Sequence, residues 1–420
     1  MRAARAVLVA LIVVAALTGV AHAEKKKKAH GAGLHKPVAE KLLVAYELMQ
    51  KDNLEESLAV VNDLAKRSKL TPAESAQIYR FRGYIYVNKG MNERAAEEFE
   101  KSLAQKALDP QAEQVMVYSL AQLYTQLGRY DRALELIDGW FAAEADPKPD
   151  AYYLKAMILV QQEKFDLALE PAKLAIEKSE TPKESWVQLL VAIYSQKRDY
   201  ANVAVTLQRL VSMSPGNKKY WVQLSAVLNY LQRDQEALAS LRLADEAKLL
   251  AEDPEFRQLA RLMFVRDAPF QCAQEMEQGL AAGNVKPDAE AYRLLSNCYI
   301  AARESDKALE PLAKAAELSA DGEVYLLLGQ MHLQRERYPA AIGAFERALA
   351  NAKPERRASV HLLLGVAQLG ADHFDDAERE FRTAQGDAKT RAAAESYLRY
   401  TAEQRAREDQ KKLLRVAASN

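Results

Sequence analysis

The chain of 420 residues carries 58 Lys plus Arg against 58 Asp plus Glu, so its overall charge draws it neither to nucleic acid nor to anionic lipid. Its hydrophobic residues, 49% of the total, are spread out. After residue 23 no run is apolar enough to cross a membrane, which takes roughly 20 residues.

Residues 1–23 open with Arg2 and Arg5, continue in an apolar run from Ala6 to Val20, and close on the small-x-small sequence Ala21-His22-Ala23. This is the pattern of a cleavable signal peptide. No Cys follows the run, which disfavours a lipid-anchored precursor, and an exported chain in a bacterial periplasm is the expectation. An uncleaved anchor is the alternative. Residues 24–36 begin Glu24-Lys25-Lys26-Lys27-Lys28 and continue through Ala29-His30-Gly31-Ala32-Gly33. They read as a basic, flexible leader, solvated and disordered rather than a handle for acidic partners.

From Pro37 the pattern is almost wholly helical and periodic. The stretch Val117 to Phe141 shows the unit. Val117, Leu120, Ala121 and Tyr124 share one helical face, and Tyr130, Ala133, Leu134, Ile137 and Phe141 share another, hinged at Gly128-Arg129. The small residue early in each second helix falls at Ser57, Ala95, Ala133, Ala168, Val203, Ala237, Cys272, Ala308, Ala341 and Ala377, in steps of 38, 38, 35, 35, 34, 35, 36, 33 and 36. Twelve residues earlier there is often another small residue, as at Gly83, Ala121, Gly329 and Gly365. Two helices per step, repeated about ten times over residues 37–386, predict an all-α solenoid. The packing positions are then Gly83, Ala95, Ala121, Tyr124, Tyr130, Ala133, Ala168, Gly329, Ala341, Gly365 and Ala377. Most prolines fall between repeats, while Pro171 and Pro311 sit deeper in second helices, where slight kinks are expected.

Residues 387–420 differ in kind. The run Lys389 to Arg415 is one long helical pattern, apolar at Ala393, Tyr397, Leu398 and Tyr400. It reads as a helix covering the last repeat's exposed face, with Glu403 to Asn420 beyond the body or frayed.

Motifs for chemistry are few. No His-Glu-x-x-His, Gly-x-Ser-x-Gly or phosphate-cradling glycine loop occurs. Asp372-His373 with Asp375 and Asp376 reads as the start of a helix rather than as a metal cluster. His332 takes a packing position equivalent to Tyr124. Cys272 and Cys298 are either bridged or two separately buried thiols. The second reading is preferred, because packed helices seldom bring two chosen Cα atoms within bridging distance. Leader and tail are too short for an independent core, so an enzyme is not expected, and no cofactor or metal is implied.

Gly83-Tyr84-Ile85-Tyr86 with Ala95 and Phe99, Leu127-Gly128-Arg129-Tyr130 with Ala133, and Gly329 with Tyr338, Ala341 and Phe345 resemble tetratricopeptide repeats. Repeats six to eight depart, with Asp234, Pro269 and Ser305 where the aromatic belongs. The resemblance implies a right-handed superhelix whose first helices line a concave wall. It places Tyr84, Asn88, Tyr118, Gln122, Gln126, Tyr153, Gln161, Gln188, Gln196, Asn229, Tyr230 and Asn297 on that wall. Amides can pair with an extended peptide's backbone and tyrosine adds flat contact area, so a protein or extended peptide is the implied partner. The Lys/Asn clamp that some relatives use for a C-terminal carboxylate is not evident.

A narrower resemblance rests on Trp221-Val222-Gln223-Leu224, on Asp267-Ala268-Pro269-Phe270 through Gly279-Leu280-Ala281-Ala282-Gly283, and on Ser319-Ala320-Asp321-Gly322-Glu323 through Gly329-Gln330. These phrases look like the exported repeat proteins encoded beside TonB–ExbB–ExbD systems in Gram-negative bacteria. That family would imply a periplasmic accessory of TonB-dependent energy transduction. The alternative is a repeat module for envelope, secretion or exopolysaccharide assembly.

Overall fold

A computed structural model of the protein describes residues 34–351 and 353–419; the signal-peptide stretch and nearly all of the basic leader lie outside the described residues. The described residues form helices and turns without a strand. The chain divides into two units, Met1–Met213 and Ser214–Asn420.

The first unit holds five helix pairs: α1 (Lys36–Gln50) with α2 (Leu54–Ala65), α3 (Pro72–Asn88) with α4 (Asn92–Ala104), α5 (Pro110–Gln126) with α6 (Tyr130–Ala143), α7 (Pro149–Gln161) with α8 (Phe165–Glu177), and α9 (Glu184–Gln196) with α10 (Tyr200–Met213). The second unit repeats the scheme: α11 (Lys218–Tyr230) with α12 (Asp234–Glu246), α13 (Asp253–Val265) with α14 (Pro269–Ala282), α15 (Ala289–Ala301) with α16 (Ser305–Ser319), α17 (Gly322–Leu333) with α18 (Tyr338–Asn351), and α19 (Pro354–Gly370) with α20 (Phe374–Gln385). A single helix, α21 (Arg391–Ser419), follows.

One backbone device makes every hairpin. The first helix of each pair ends on a residue of left-handed conformation, from Asp52 and Gly90 through to Glu336 and Asp372, always five places before the small marker residue. The next residue's N–H then closes on a carbonyl five residues back, as in Arg129 to Tyr124 at 2.8 Å and Lys164 to Leu159 at 2.9 Å. This is the Schellman closure of a helix end, which glycine enters without steric cost. Only Gly90 and Gly128 use glycine for it; at the other repeats a side chain tolerates the left-handed φ.

The two helices of a pair meet at the small residues. Ala95, Ala121, Ala133, Ala168, Ala341 and Ala377 are fully buried, as are Gly83, Gly329 and Gly365. Where serine takes one of the facing positions, its hydroxyl donates to the opposite backbone: Ser57 to the Ala45 carbonyl at 2.6 Å, Ser225 to Ala237 at 2.9 Å, and Ser296 to Ala308 at 3.1 Å. Such bonds need helices close enough that a larger side chain would part them. Glycine is used where a phenylalanine ring fills the gap instead. A Cβ on Gly329 would lie 2.5 Å from the Phe345 ring, and one on Gly365 would lie 2.6 Å from the Phe381 ring. The same crowding pairs Gly83 with Phe99.

Successive repeats are tied at a second recurrent place. An acid at the second position of a second helix meets a base or amide just after the next first helix: Glu55 with Lys89, Asp131 with Gln162, Asp166 with Lys197, and Asp306 with Arg335. Arg405 of α21 makes the same contact with Asp375.

The two cysteines are bridged, with their Cα atoms 5.7 Å apart, which corrects the expectation of two separate thiols. Cys272 lies at the close-approach position of α14, and Cys298 on α15 stands two residues past the equally crowded Ser296. Both are fully buried where neighbouring repeats meet. A second correction concerns α21. Its covering face is Ala394, Tyr397, Leu398 and Thr401, with Tyr397 stacked on Phe381 at 5.1 Å, whereas Ala393 and Tyr400 are exposed. The helices α8 and α16 continue past the buried Pro171 and Pro311. Among the described residues no helix is long and apolar enough to cross a membrane.

Candidate functional site

Residues four apart on a helix stand in a column along one face. On α3 such a column is Arg80, Tyr84 and Asn88; on α5 it is Gln114, Tyr118, Gln122 and Gln126; on α7, Tyr153 and Gln161 belong to the equivalent one. All are in the first unit. Their tyrosines are half-buried, each against a ring from another helix. Tyr84 meets Phe99 edge-on at 5.1 Å, Tyr118 tilts against Trp140 at 5.2 Å, and Tyr153 stacks on Trp186 at 5.8 Å. These contacts hold the rings in fixed orientations, so a ligand laid across them costs little side-chain entropy.

Electrostatics at these tyrosines follow from burial. It pushes the Tyr84 hydroxyl above the usual phenol range, with the charge of Arg80 pulling the other way. Tyr118 is pushed up by burial and then by Asp150, while a hydrogen bond from Gln122 opposes both. Burial also raises Tyr153, opposed by Ser185. All three hydroxyls are therefore neutral donors near pH 7.

The glutamines divide into two groups. Gln126 accepts a hydrogen bond from Asn92 at 2.9 Å, and Gln161 accepts one from the Tyr130 hydroxyl at 3.3 Å. These two side chains tie the end of one first helix to the start of the preceding second helix, so part of their bonding capacity is used within the fold. Gln188 donates to Glu184 at 3.2 Å one turn away, and Gln196 is exposed.

In the second unit the picture changes. Tyr230 is 68% exposed, Asn229 is exposed, and Asn297 is half-buried. On α13 the column is headed by Arg257, which the sequence reading passed over. Its side chain is only 6% exposed, with Nε 2.7 Å from Asp253 and a two-pronged grip on Asp288 at 2.9 and 3.0 Å. It also donates to the Lys286 carbonyl at 3.1 Å. The guanidinium in turn holds the Asp288 carboxyl below its usual range. This residue fastens two repeats together, with four of its five N–H donors used within the fold.

Other candidates resolve into structure. Asp375 and Asp376 are taken by Arg405 and Arg379, and His373 bonds Gln368 at 2.8 Å. Burial lowers the pKa of His332, with Arg337 and Arg335 adding to it, so the ring is neutral. Among the described residues no group of three or more His, Cys, Asp or Glu is placed to hold a metal ion. A cleft of about 660 Å³ lies between α20 and α21, where Glu378 is shared by Arg382 and Arg405. The sequence reading also missed Arg80 and Gln114, although both stand four residues before a tyrosine that it named.

Stacked helix pairs with a common turn, a common crowding point and a common inter-repeat tie define a helical repeat protein of all-α superhelical class. Residues 301–358 and 326–396 match the family model described as Tetratricopeptide repeat. Residues 88–173 match the model described as Anaphase-promoting complex, cyclosome, subunit 3. No curated protein matches the chain. Among solved structures, a tetratricopeptide repeat protein from Parabacteroides merdae is 13% identical, covering 80% of this chain and 100% of its own, with a TM-score of 0.38. YrrB, described as a TPR protein with an unusual peptide-binding site, is 16% identical over 46% of this chain and 96% of its own, with a TM-score of 0.38. MamA from Desulfovibrio magneticus RS-1 is 18% identical over 44% of this chain and 99% of its own, again at 0.38. Nothing about this chain's role rests on likenesses of such low identity and score.

Proposed function

We propose that the protein is a non-enzymatic periplasmic scaffold that binds an extended polypeptide segment and serves as an accessory of TonB-dependent transport. The observation that carries the binding role is the set of tyrosine and amide columns on α3, α5 and α7, with each ring held by a neighbour. Such a surface offers flat area and neutral hydrogen-bond groups, which suits a peptide backbone better than it suits chemistry on a substrate. Export is supported by the signal-like pattern of residues 1–23. It is also supported by the Cys272–Cys298 bridge, since disulfides persist in oxidising compartments and are rare in reducing ones. The TonB link rests on the phrases around Trp221, Asp267 and Ser319.

In-cell crosslinking followed by identification of the captured protein tests this reading. Recovery of an inner-membrane energy-transducing subunit or an outer-membrane transporter is the expected result. Capture of cytosolic partners only, or fractionation of the mature chain with the cytosol, would end it.

A further inference from the structure

At one place the acid–base tie between successive repeats is left half-made. Lys89, Lys197 and Arg335 stand just after a first helix, and each meets the acid at the second position of the preceding second helix, Glu55, Asp166 and Asp306 respectively. Arg266 occupies the same place after α13, but the preceding second helix, α12, carries Gln235 where the acid belongs. Arg266 is exposed and has no ion pair among the described residues. Its guanidinium is a fork shaped for a carboxylate that the neighbouring repeat does not supply.

The side chains around Arg266 are apolar and open to solvent. Val265 is 63% exposed, Phe270 44% and Phe264 39%. Phe270 holds the second position of α14, where other repeats place the acid of the tie. Its ring reaches the next hairpin, since the Lys307 Nζ lies 6.0 Å from both the Phe270 and the Tyr299 rings. Ala301, exposed at the end of α15, continues the strip. The last position of the first helix, held here by Val265 and Ala301, is Gln126 and Gln161 in the first unit, where the second position of the second helix is Asp131 and Asp166. This hairpin edge has exchanged amides and acids for apolar groups that stay in water, where they add little to the fold. Exposed apolar groups gathered round an arginine have the composition of a contact surface.

Size and charge select the occupant. A stable dimer engages roughly 20–30 residues a side, and this strip offers a handful, too few for a second copy. An anionic bilayer calls for a cluster of unopposed bases, whereas Arg266, Arg303 and Lys307 are offset here by Asp267, Glu304 and Asp306. A short segment with one carboxylate beside bulky apolar side chains matches both the guanidinium and the strip.

We propose that Phe264, Val265, Arg266, Phe270 and Ala301 form a docking surface for a partner polypeptide segment in which an Asp or Glu stands next to bulky apolar residues. Arg266 takes the carboxylate as the missing member of the tie, and Val265 and Phe270 cover the apolar side chains. The surface goes beyond the scaffold reading above and uses none of its tyrosines.

The test uses the purified full chain and labelled twelve-residue peptides followed by fluorescence anisotropy. One peptide repeats Ser-Glu-Leu-Phe, a second has Gln for Glu, and a third has Ser for Leu and Phe. The first is expected to bind at least about tenfold more tightly than either of the others. Phe270→Ser and Arg266→Gln should each remove about that factor, and Arg266→Gln should leave the affinity of the Gln peptide unchanged. Arg266→Glu should turn the preference toward a peptide with Lys for Glu. Leu167→Ser, at a position 64% exposed in the first unit, should change nothing. All these side chains are exposed, so the variants should melt as the parent does; an early melt of Phe270→Ser would make the ring part of the hairpin's own packing and overturn the inference. Equal binding of the three peptides would also overturn it. So would a dimer in sedimentation that is lost on Phe270→Ser, which gives the strip to a second copy, or flotation with phosphatidylglycerol vesicles lost on the same change, which gives it to a membrane. Each of these failures leaves the tyrosine columns, and the reading built on them, untouched.

Discussion

Replacing Gly365 by alanine places a methyl group where the Phe381 ring already is. The new Cβ would lie 2.6 and 2.7 Å from two ring carbons. Comfortable carbon contact begins near ~3.5 Å, so the ring must retreat by roughly 1 Å. It has nowhere to go, being fully buried with Tyr397 stacked on it at 5.1 Å. Overpacking of this kind costs about 1–3 kcal/mol. Against it stands a gain of about 0.5–1 kcal/mol for exchanging glycine for alanine inside a helix. The expected net is a loss of about 1–2 kcal/mol in a denaturant melt followed by far-UV circular dichroism. Gly343→Ala on α18 supplies the contrast, since a Cβ there meets nothing within 4 Å and the helix gain of about 0.5–1 kcal/mol stands alone. Adding Phe381→Leu to Gly365→Ala should recover part of the loss, because repeats with serine at the glycine position carry a leucine sixteen residues on, as in Ser225 with Leu241. If Gly365→Ala stabilises the protein as Gly343→Ala does, the helices are further apart than described and the packing account fails.

The repeated hairpin closure makes a prediction of opposite sign. Glu163→Gly and Gln232→Gly relieve a left-handed φ of 59° at each position and should each stabilise by up to about 1 kcal/mol, whereas Gly128→Ala should destabilise by a similar amount. A melt in which Glu163→Gly destabilises would contradict this. The disulfide closes a loop between cysteines 26 residues apart, so reduction or Cys272→Ala with Cys298→Ala should cost about 3–4 kcal/mol. Intact mass with and without reductant checks the bridge, and the midpoint difference checks its worth. Glu74 predicts a pH dependence. Burial favours its neutral form, yet the backbone N–H groups of Thr71 and His35 and the His35 ring hold its pKa down to about 2. A depressed carboxyl stabilises the fold above its unfolded pKa, and that stability is lost as pH falls toward the folded value. Stability should therefore drop between about pH 4.5 and pH 2, with a smaller drop in Glu74→Gln. Identical acid profiles would refute the assignment.

The repeat, its two helices and the crowding points were legible in the sequence because they are local rules written about ten times over. A helical face needs only spacings of three and four, and a hairpin needs only a turn between two such faces. The aromatic anchors of the tyrosines were not legible in the same way. Trp140 meets Tyr118 across their own hairpin, and Trp186 meets Tyr153 only because the next pair stacks on α7. The resemblance to tetratricopeptide repeats is what placed Gln126 and Gln161 on the concave wall. Their bonds to Asn92 and Tyr130 arise only once the next pair is in place.

What the amino-acid order determined by itself is the architecture: a period near 35 residues, small residues where backbones must touch, and a polar final helix. What only the tertiary structure decided is which side chains are spoken for. Arg80 and Arg82 are nearly indistinguishable in sequence, yet Arg82 meets Glu98 while the buried Nε of Arg80 has no acceptor among the described residues. Cys272 and Cys298 could have packed apart, and the angle between neighbouring repeats joined them. The physical reason is common to both cases. Helical periodicity is set within a few residues of chain, whereas partnership between side chains depends on the distance and rotation between helices, which no single repeat encodes.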